Sequence, residues 1–268
     1  MELVRDIQEI FNKTNEIKKK CTVFTNFFLN KKKITELIKK KKLFKIFDES
    51  NLIFLKKNKI YYNLYFFSNN HKKLSNILKK LKIGNYICDL ILLNKNYKNF
   101  YKPFLNNKFK KYRNLIRLIK KKNINKKYLI TDVKYAKSSD AKIILLNLKK
   151  NFDIYSDQIP ELKDIQESIK KKEIIIIKKK ILIAFMIFDN ANSTLKINYW
   201  FVKDKYQNIG HGSKLMNFFL NKYCKSKRVI LWVDKTNSVV IRKYYHFGFV
   251  KDKISDQIFL KKINNSFY

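Results

Sequence analysis

The chain has 268 residues, 46% of them hydrophobic, with 61 Lys and Arg against 21 Asp and Glu, for a net charge of +40. That much apolar material excludes a disordered polyelectrolyte and provides for one large domain or two modest ones. The positive excess is almost all lysine spread along the chain, with Arg only at Arg5, Arg113, Arg117, Arg228 and Arg242; this points to a solvated lysine surface, and no specific nucleic acid is expected.

Taken in order, Val4, Ile7, Ile10, Phe11 and Ile17 recur at helical spacing, so residues 3–20 read as a helix and 34–47 as a second. Residues 52–55 and 60–67 read as strands, with Lys57-Asn58 as the turn between them. Leu74, Ile77, Leu78 and Leu81 mark a short amphipathic helix, and Gly84-Asn85 leads into a strand over 86–93. A weaker helix over 97–105 is interrupted by Pro103, and a strand over 109–119 ends in a basic cluster at 120–127. This charged cluster serves as the linker, giving domains at 1–127 and 128–268.

In the second domain, 130–136 reads as a strand, and Ser138-Ser139-Asp140 supplies an N-cap for a helix through 148. Pro160 suits the first turn of a further helix to about residue 170. Two β-branched strands, 173–177 and 181–188, are joined by Lys178-Lys179-Lys180, and a third covers 195–202. A helix at 213–226, a strand at 229–233, a helix at 238–247 closed by Gly248 and strands from Phe249 complete the chain.

Between the strand 195–202 and the helix 213–226 lies Gln207-Asn208-Ile209-Gly210-His211-Gly212-Ser213. Strand, glycine loop and helix N-terminus form an arrangement that binds phosphate, because the first helical amides lack partners and the helix dipole is positive there. The glycines allow positive φ and close approach of a diphosphate. The chain has only four glycines, Gly84, Gly210, Gly212 and Gly248, so two in one loop are not a by-product of composition.

Gln207-x-x-Gly210-x-Gly212, followed by Asn237-x-x-x-x-x-x-Tyr244-x-x-x-Gly248-Phe249, resembles two motifs of the GNAT superfamily of acyl-CoA-dependent N-acetyltransferases. These are the pyrophosphate loop Q/R-x-x-G-x-G/A and the helix N-x-x-A-x-x-x-Y-x-x-x-G-F; Val240 stands where Ala is commoner. The resemblance covers about the C-terminal half. It implies an α/β fold with a central, splayed mixed sheet flanked by helices, preceded by a smaller, degenerate GNAT-like unit. It further implies acetyl-CoA as co-substrate and a primary amine as acceptor, with direct transfer. The pyrophosphate is then expected on Gln207 and the amides of Asn208, Ile209, Gly210, His211, Gly212, Ser213 and Lys214. The pantetheine arm is expected along the backbone of Trp200, Phe201 and Val202. Asn237 is expected to bond that arm or cap its helix, and Tyr244 to protonate the departing thiolate. The His211 side chain is expected to face solvent while its amide binds.

Ile197-Asn198-Tyr199-Trp200-Phe201 offers no carboxylate, so no general base is assigned. From Ile60 the first half has the same alternation of strands and helices, a degenerate repeat. It carries Ser68-Asn69-Asn70-His71-Lys72-Lys73 in place of the glycine loop, so no diphosphate cradle is expected there. Two other readings stay open: a catalytically silent acyl-CoA-binding regulatory module and a basic nucleic-acid binder. Cys21, Cys88, Cys224, His71, His211 and His246 are too scattered for a disulfide framework or a metal site. No apolar run reaches the ~18 residues of a membrane span, and the N-terminus does not read as a signal peptide. A cytoplasmic protein with no membrane partner is expected; nothing in the sequence sets its oligomeric state.

Overall fold

Residues 1–20, 23–27, 29–82, 84–93, 98–121, 132–191, 193–223 and 228–263 are described in a computed structural model of the chain. They divide into two units, Met1–Asn114 with Ile254–Tyr268, and Leu115–Lys253. In chain order the elements of the first half are β1 (Glu2–Leu3), α1 (Ile7–Lys20), β2 (Phe24–Thr25), α2 (Lys31–Lys39), β3 (Leu43–Phe47), β4 (Asn51–Lys57), β5 (Tyr62–Ser68), α3 (His71–Lys79), β6 (Gly84–Leu93), α4 (Lys98–Leu105) and β7 (Lys110–Lys120). Those of the second half are β8 (Lys134–Tyr135), α5 (Ala141–Asn151), α6 (Leu162–Lys170), β9 (Ile174–Lys178), β10 (Leu182–Ala191), β11 (Thr194–Val202), α7 (His211–Tyr223), β12 (Arg228–Asp234), α8 (Ser238–His246) and β13 (Val250–Ile263).

The first unit's sheet runs β1-β3-β4-β5-β6, with residues 254–263 of β13 antiparallel on β6. Strand alternation sends successive β4 side chains to opposite faces. Ile53 and Leu55 pack with Leu74, Ile77 and Leu78 of α3, while Leu52 and Phe54 pack with Ile10 and Ile17 of α1 and Ile34 and Leu37 of α2. The second unit's sheet runs β7-β12-β11-β10-β9-β8, with residues 115–120 of β7 antiparallel on β12. Among the described residues one pair in each unit is parallel, β5 with β6 and β11 with β12, and the other ladders described are antiparallel.

Apart from β2, the two halves share one element order, β-α-α-β-β-β-α-β-α-β, so the repeat starts well before Ile60. The closing strands are exchanged: β7 of the first half joins the second unit's sheet, and β13 of the second half joins the first. The compact units therefore do not follow the 127/128 boundary, although most of the basic linker, 122–127, lies outside the described residues.

Two local expectations are corrected. The helix expected over 34–47 stops at Lys39, because Lys41 turns left-handed (φ 52) and residues 43–47 form a strand on β4. The apolar residues of 34–47 fit either period, and pairing with β4 decides between them. Pro160 does not enter the first turn of α6; it precedes the N-cap, Glu161, whose amide donates to Asp164 at 3.0 Å. Among the described residues no helix is long and apolar enough to cross a membrane.

Asp140 opens α5. Its side chain is 3% exposed, accepts from the Lys137 amide at 2.8 Å and binds Lys178 Nζ at 2.6 Å. Burial pushes the carboxyl up, but the bonds from Lys178 and the Lys137 amide outweigh it and hold it below the ordinary 3.8. A depressed carboxyl stabilises the fold above its unfolded value and loses that contribution as pH falls through the folded one. Urea midpoints are therefore expected to drop between pH 5 and about pH 3. Asp140→Asn lowers the midpoint at pH 7 and shrinks that drop.

Candidate functional site

The site grows from an irregularity in β11. Against β10 its register runs Ala184↔Val202 to Ile187↔Tyr199 and then shifts to Phe188↔Ile197, leaving Asn198 as an extra residue. Such a bulge moves every later side chain to the other face. Leu195 and Ile197 pack with Leu215, Met216 and Phe219 of α7. Beyond the bulge, Tyr199 and Phe201 instead pack with Ile144 and Leu148 of α5, while Trp200 and Val202 take over the α7 face.

The bulge coincides with an opening. The parallel ladder of β11 with β12 covers only Thr194↔Arg228 to Ile197↔Leu231. Beyond it, β11 remains paired to β10 as far as Val202, and β12 to β7 as far as Asp234. Both walls are thus held on their far sides, and five residues of β11 edge, 198–202, have no strand partner toward β12 among the described residues. At about 3.3 Å per residue this edge is roughly 16 Å long.

Its outer end meets the N-terminus of α7. Lys214 N–H already donates to Gly210 O at 2.9 Å, so Lys214 is not one of the spare amides; His211, Gly212 and Ser213 precede the first intrahelical bond. The Lys214 side chain binds Asp132 at 2.7 Å. Gln207 acts as a strut, its Nε2 donating to Val202 O at 3.1 Å and Asp204 Oδ1 at 3.0 Å. Asn208 and Gly210 take positive φ, 62 and 88. Only Gly210 needs glycine for that reason: a Cβ there would meet nothing within 4 Å, so space lies above it. Gly212 is constrained by contact instead, since its Cβ would come 3.1 Å from Trp200 Cζ2. Ile209 is 63% exposed.

His211 does not simply face solvent. Among the described residues its Nδ1 is buried without a hydrogen-bond partner, and so is Trp200 Nε1. Leaving such an atom unpaired costs about 1–3 kcal/mol, and a pair of them beside a spare-amide loop fits a polar ligand. Tyr244 of α8 packs between Trp200 (ring centroids 5.4 Å apart) and Phe249 (5.6 Å), and is 7% exposed. Burial pushes its phenol up, so it stays protonated. Its neighbour Tyr245 is 45% exposed. Asn237 caps α8, accepting from the Val240 amide at 3.2 Å. Phe201 has a buried side chain on the α5 face, so only its backbone borders the opening.

The equivalent place in the first unit is filled by the chain itself. β5 and β6 pair only at Tyr62↔Tyr86 and Asn63↔Ile87. The remaining edge of β5 carries β2, Phe24↔Ser68 and Thr25↔Phe67. Asn26 then bridges both walls: its Nδ2 donates to Leu64 O (3.0 Å) and Asp89 O (2.9 Å), and its Oδ1 accepts from Phe66 N–H (2.7 Å). The N-terminus of α3 is capped by Asn70, which accepts from the Lys73 amide at 3.0 Å. The Asn26 bridge is not visible as a local motif, because it is a long-range contact of a residue ordinary in loops.

Comparisons with known proteins bear on the fold. Residues 145–249 match the family model "Acetyltransferase (GNAT) family". No curated protein matches the chain. Among solved structures, an acetyltransferase from the GNAT family from Colwellia psychrerythraea is similar at 11% identity and TM-score 0.58, over 97% of this chain and 98% of that one. A GCN5-related N-acetyltransferase from Sphaerobacter thermophilus is similar at 9% identity and TM-score 0.57, over 86% of this chain and 85% of that one. A tandem GNAT protein from the clavulanic acid biosynthesis pathway is similar at 6% identity and TM-score 0.51, over 81% and 80%. At such identities the likeness is one of fold; together with the sequence match, it means that this chain carries, over residues 145–249, a domain of the acetyltransferase (GNAT) family.

Proposed function

We propose that the second unit transfers an acetyl group from acetyl-CoA to a primary amine. The observation that carries this reading is that the β11 edge at 198–202 has no strand partner toward β12 among the described residues and ends at the N-terminal amides of α7. A diphosphate fits over Gly210, where space is open and the amides of Ile209 to Ser213 and the helix dipole all favour negative charge. An extended amide-bearing arm fits the edge at 198–202 as an added strand. When bound, acetyl-CoA supplies the reactive thioester. A backbone N–H of the β11 edge at the closed end of the opening is suited to polarise its carbonyl. The Tyr244 phenol, protonated throughout the neutral range, is suited to give its proton to the departing thiolate. A protein surface of net charge +40 also draws in a polyanion.

The test is thiol release from acetyl-CoA across a panel of primary amines: polyamines, aminoglycosides, amino acids and peptides with a free N-terminus. Release with at least one amine, accompanied by the acetylated product in mass spectrometry, is the expected result. Absence of both across the panel, from protein that binds acetyl-CoA, favours the silent regulatory module. Because β2 and Asn26 occupy the first unit's opening, calorimetry is expected to give one acetyl-CoA per chain; two would contradict that assignment.

A further inference from the structure

Asn198 is the one carboxamide in the run 197–202, and it stands at three coincident features. It is the extra residue of the β11 bulge, it follows the last ladder pair at Ile197↔Leu231, and it marks where side chains change face. It is partly buried, and among the described residues its carboxamide makes no hydrogen bond. Bulges re-aim a side chain at an otherwise regular strand. β5, the equivalent strand of the first unit, keeps one register with β4 throughout and has no bulge. The carboxylates of the flanking strands are placed differently. Asp189 of β10 sits opposite Lys196, and Asp234 of β12 accepts from Thr236 N–H (2.9 Å) and Oγ1 (2.7 Å) in the following turn.

We propose, resting on the acyl-transfer reading above, that Asn198 contacts the acceptor amine and orients it without taking its proton. An arm laid along roughly 16 Å of edge from the α7 end brings its reactive terminus to the closed end of the opening, where Asn198 stands. The Asn198 Oδ1 accepts one N–H of the neutral amine, leaving the nitrogen lone pair on the thioester carbon. The C–N bond forms, the C–S bond breaks, the thiolate takes a proton from Tyr244, and the nitrogen's surplus proton passes to water, from which Tyr244 is reprotonated. A carboxamide accepts a hydrogen bond but is not a base. The acceptor class follows: amines with an appreciable neutral fraction at the working pH are used best.

The experiment takes the most active amine of the panel and measures kcat/KM against pH for the wild type, Asn198→Ala and Asn198→Asp, with acetyl-CoA affinity measured by calorimetry for each. For an aliphatic amine the wild-type kcat/KM is expected to rise about tenfold per pH unit from about pH 6 to 8, with no inflection from a protein base. Asn198→Ala keeps that slope and acetyl-CoA affinity but lowers kcat/KM by about 10- to 100-fold. Asn198→Asp flattens the profile by introducing a proton acceptor, a change that a structural role for Asn198 does not produce. An active wild type whose kcat/KM is matched within about twofold by Asn198→Ala, or whose profile levels off in this range, overturns the inference alone. A wild type that neither binds acetyl-CoA nor releases thiol overturns the acyl-transfer reading itself.

Discussion

Replacing Ser213 with glutamate is expected to lower the affinity for acetyl-CoA by about 100-fold while leaving the melting temperature at or above that of the wild type. Ser213 is exposed in the first turn of α7. A carboxylate there complements the helix dipole and is worth ~0.3–1 kcal/mol to the helix. The same carboxylate repels a diphosphate on the neighbouring amides. Two unit charges ~4 Å apart near a protein surface interact with about 4 kcal/mol before salt screening. A 100-fold loss needs about 2.8 kcal/mol, well within that range. Stability and binding move in opposite directions, so loss of fold cannot imitate the effect. Ser213→Gln, of the same size and uncharged, is expected to stay within about threefold of the wild type. Calorimetry for affinity and thermal unfolding for stability make the comparison; equal affinity in both variants would place the diphosphate elsewhere.

The second large effect is expected on turnover alone. Tyr244→Phe should lower kcat by about 10²- to 10³-fold, the size of a lost general acid, while acetyl-CoA affinity stays within about twofold. The ring is held by Trp200 and Phe249, and phenylalanine keeps both contacts. Among the described residues the hydroxyl has no hydrogen-bond partner, so its removal breaks no internal bond. A purely structural Tyr244 therefore predicts an unchanged enzyme. Tyr245→Phe serves as the control, because that ring is 45% exposed on the next helical position, and it should leave kcat unaltered. Unchanged turnover in Tyr244→Phe would move the proton donor to water or another group.

Much of this arrangement was legible in the sequence because it is written in local rules. The loop after β11 announces itself by two of four glycines just before an amphipathic helix, and Tyr244 by its spacing to Gly248. What escaped is non-local. The two loop glycines look alike in sequence, yet one serves φ and the other makes room for Trp200, a residue 12 positions away. The bulge at Asn198 is hidden because Tyr199-Trp200-Phe201-Val202 is apolar throughout, so the switch of faces leaves no mark in the hydrophobic pattern. The same holds for strand exchange. Nothing local in β7 or β13 says whose sheet it completes, since antiparallel strands of similar apolarity satisfy either partner. Asn26 is a third case: a carboxamide in a loop is unremarkable until the fold places it between Leu64, Phe66 and Asp89.

The two halves also show what separates a binding opening from a filled one. Both begin with the same parallel pair that parts after a few residues. In the first unit the freed edge is satisfied by β2, the bridge by Asn26 and the helix N-terminus by Asn70. In the second the edge lacks a strand partner, the helix amides are spare and two buried ring nitrogens lack partners among the described residues. Internal hydrogen bonds stabilise the first arrangement; a ligand's hydrogen bonds complete the second.

The most direct test is an amide-shift titration of the ¹⁵N-labelled protein with acetyl-CoA. The largest changes are expected at residues 198–202 and 209–213, with the first unit's residues 62–68 and 71–74 unmoved. Saturation that leaves 198–202 and 209–213 unshifted, or that shifts the first unit's edge instead, would contradict the placement of the cofactor between β11 and α7.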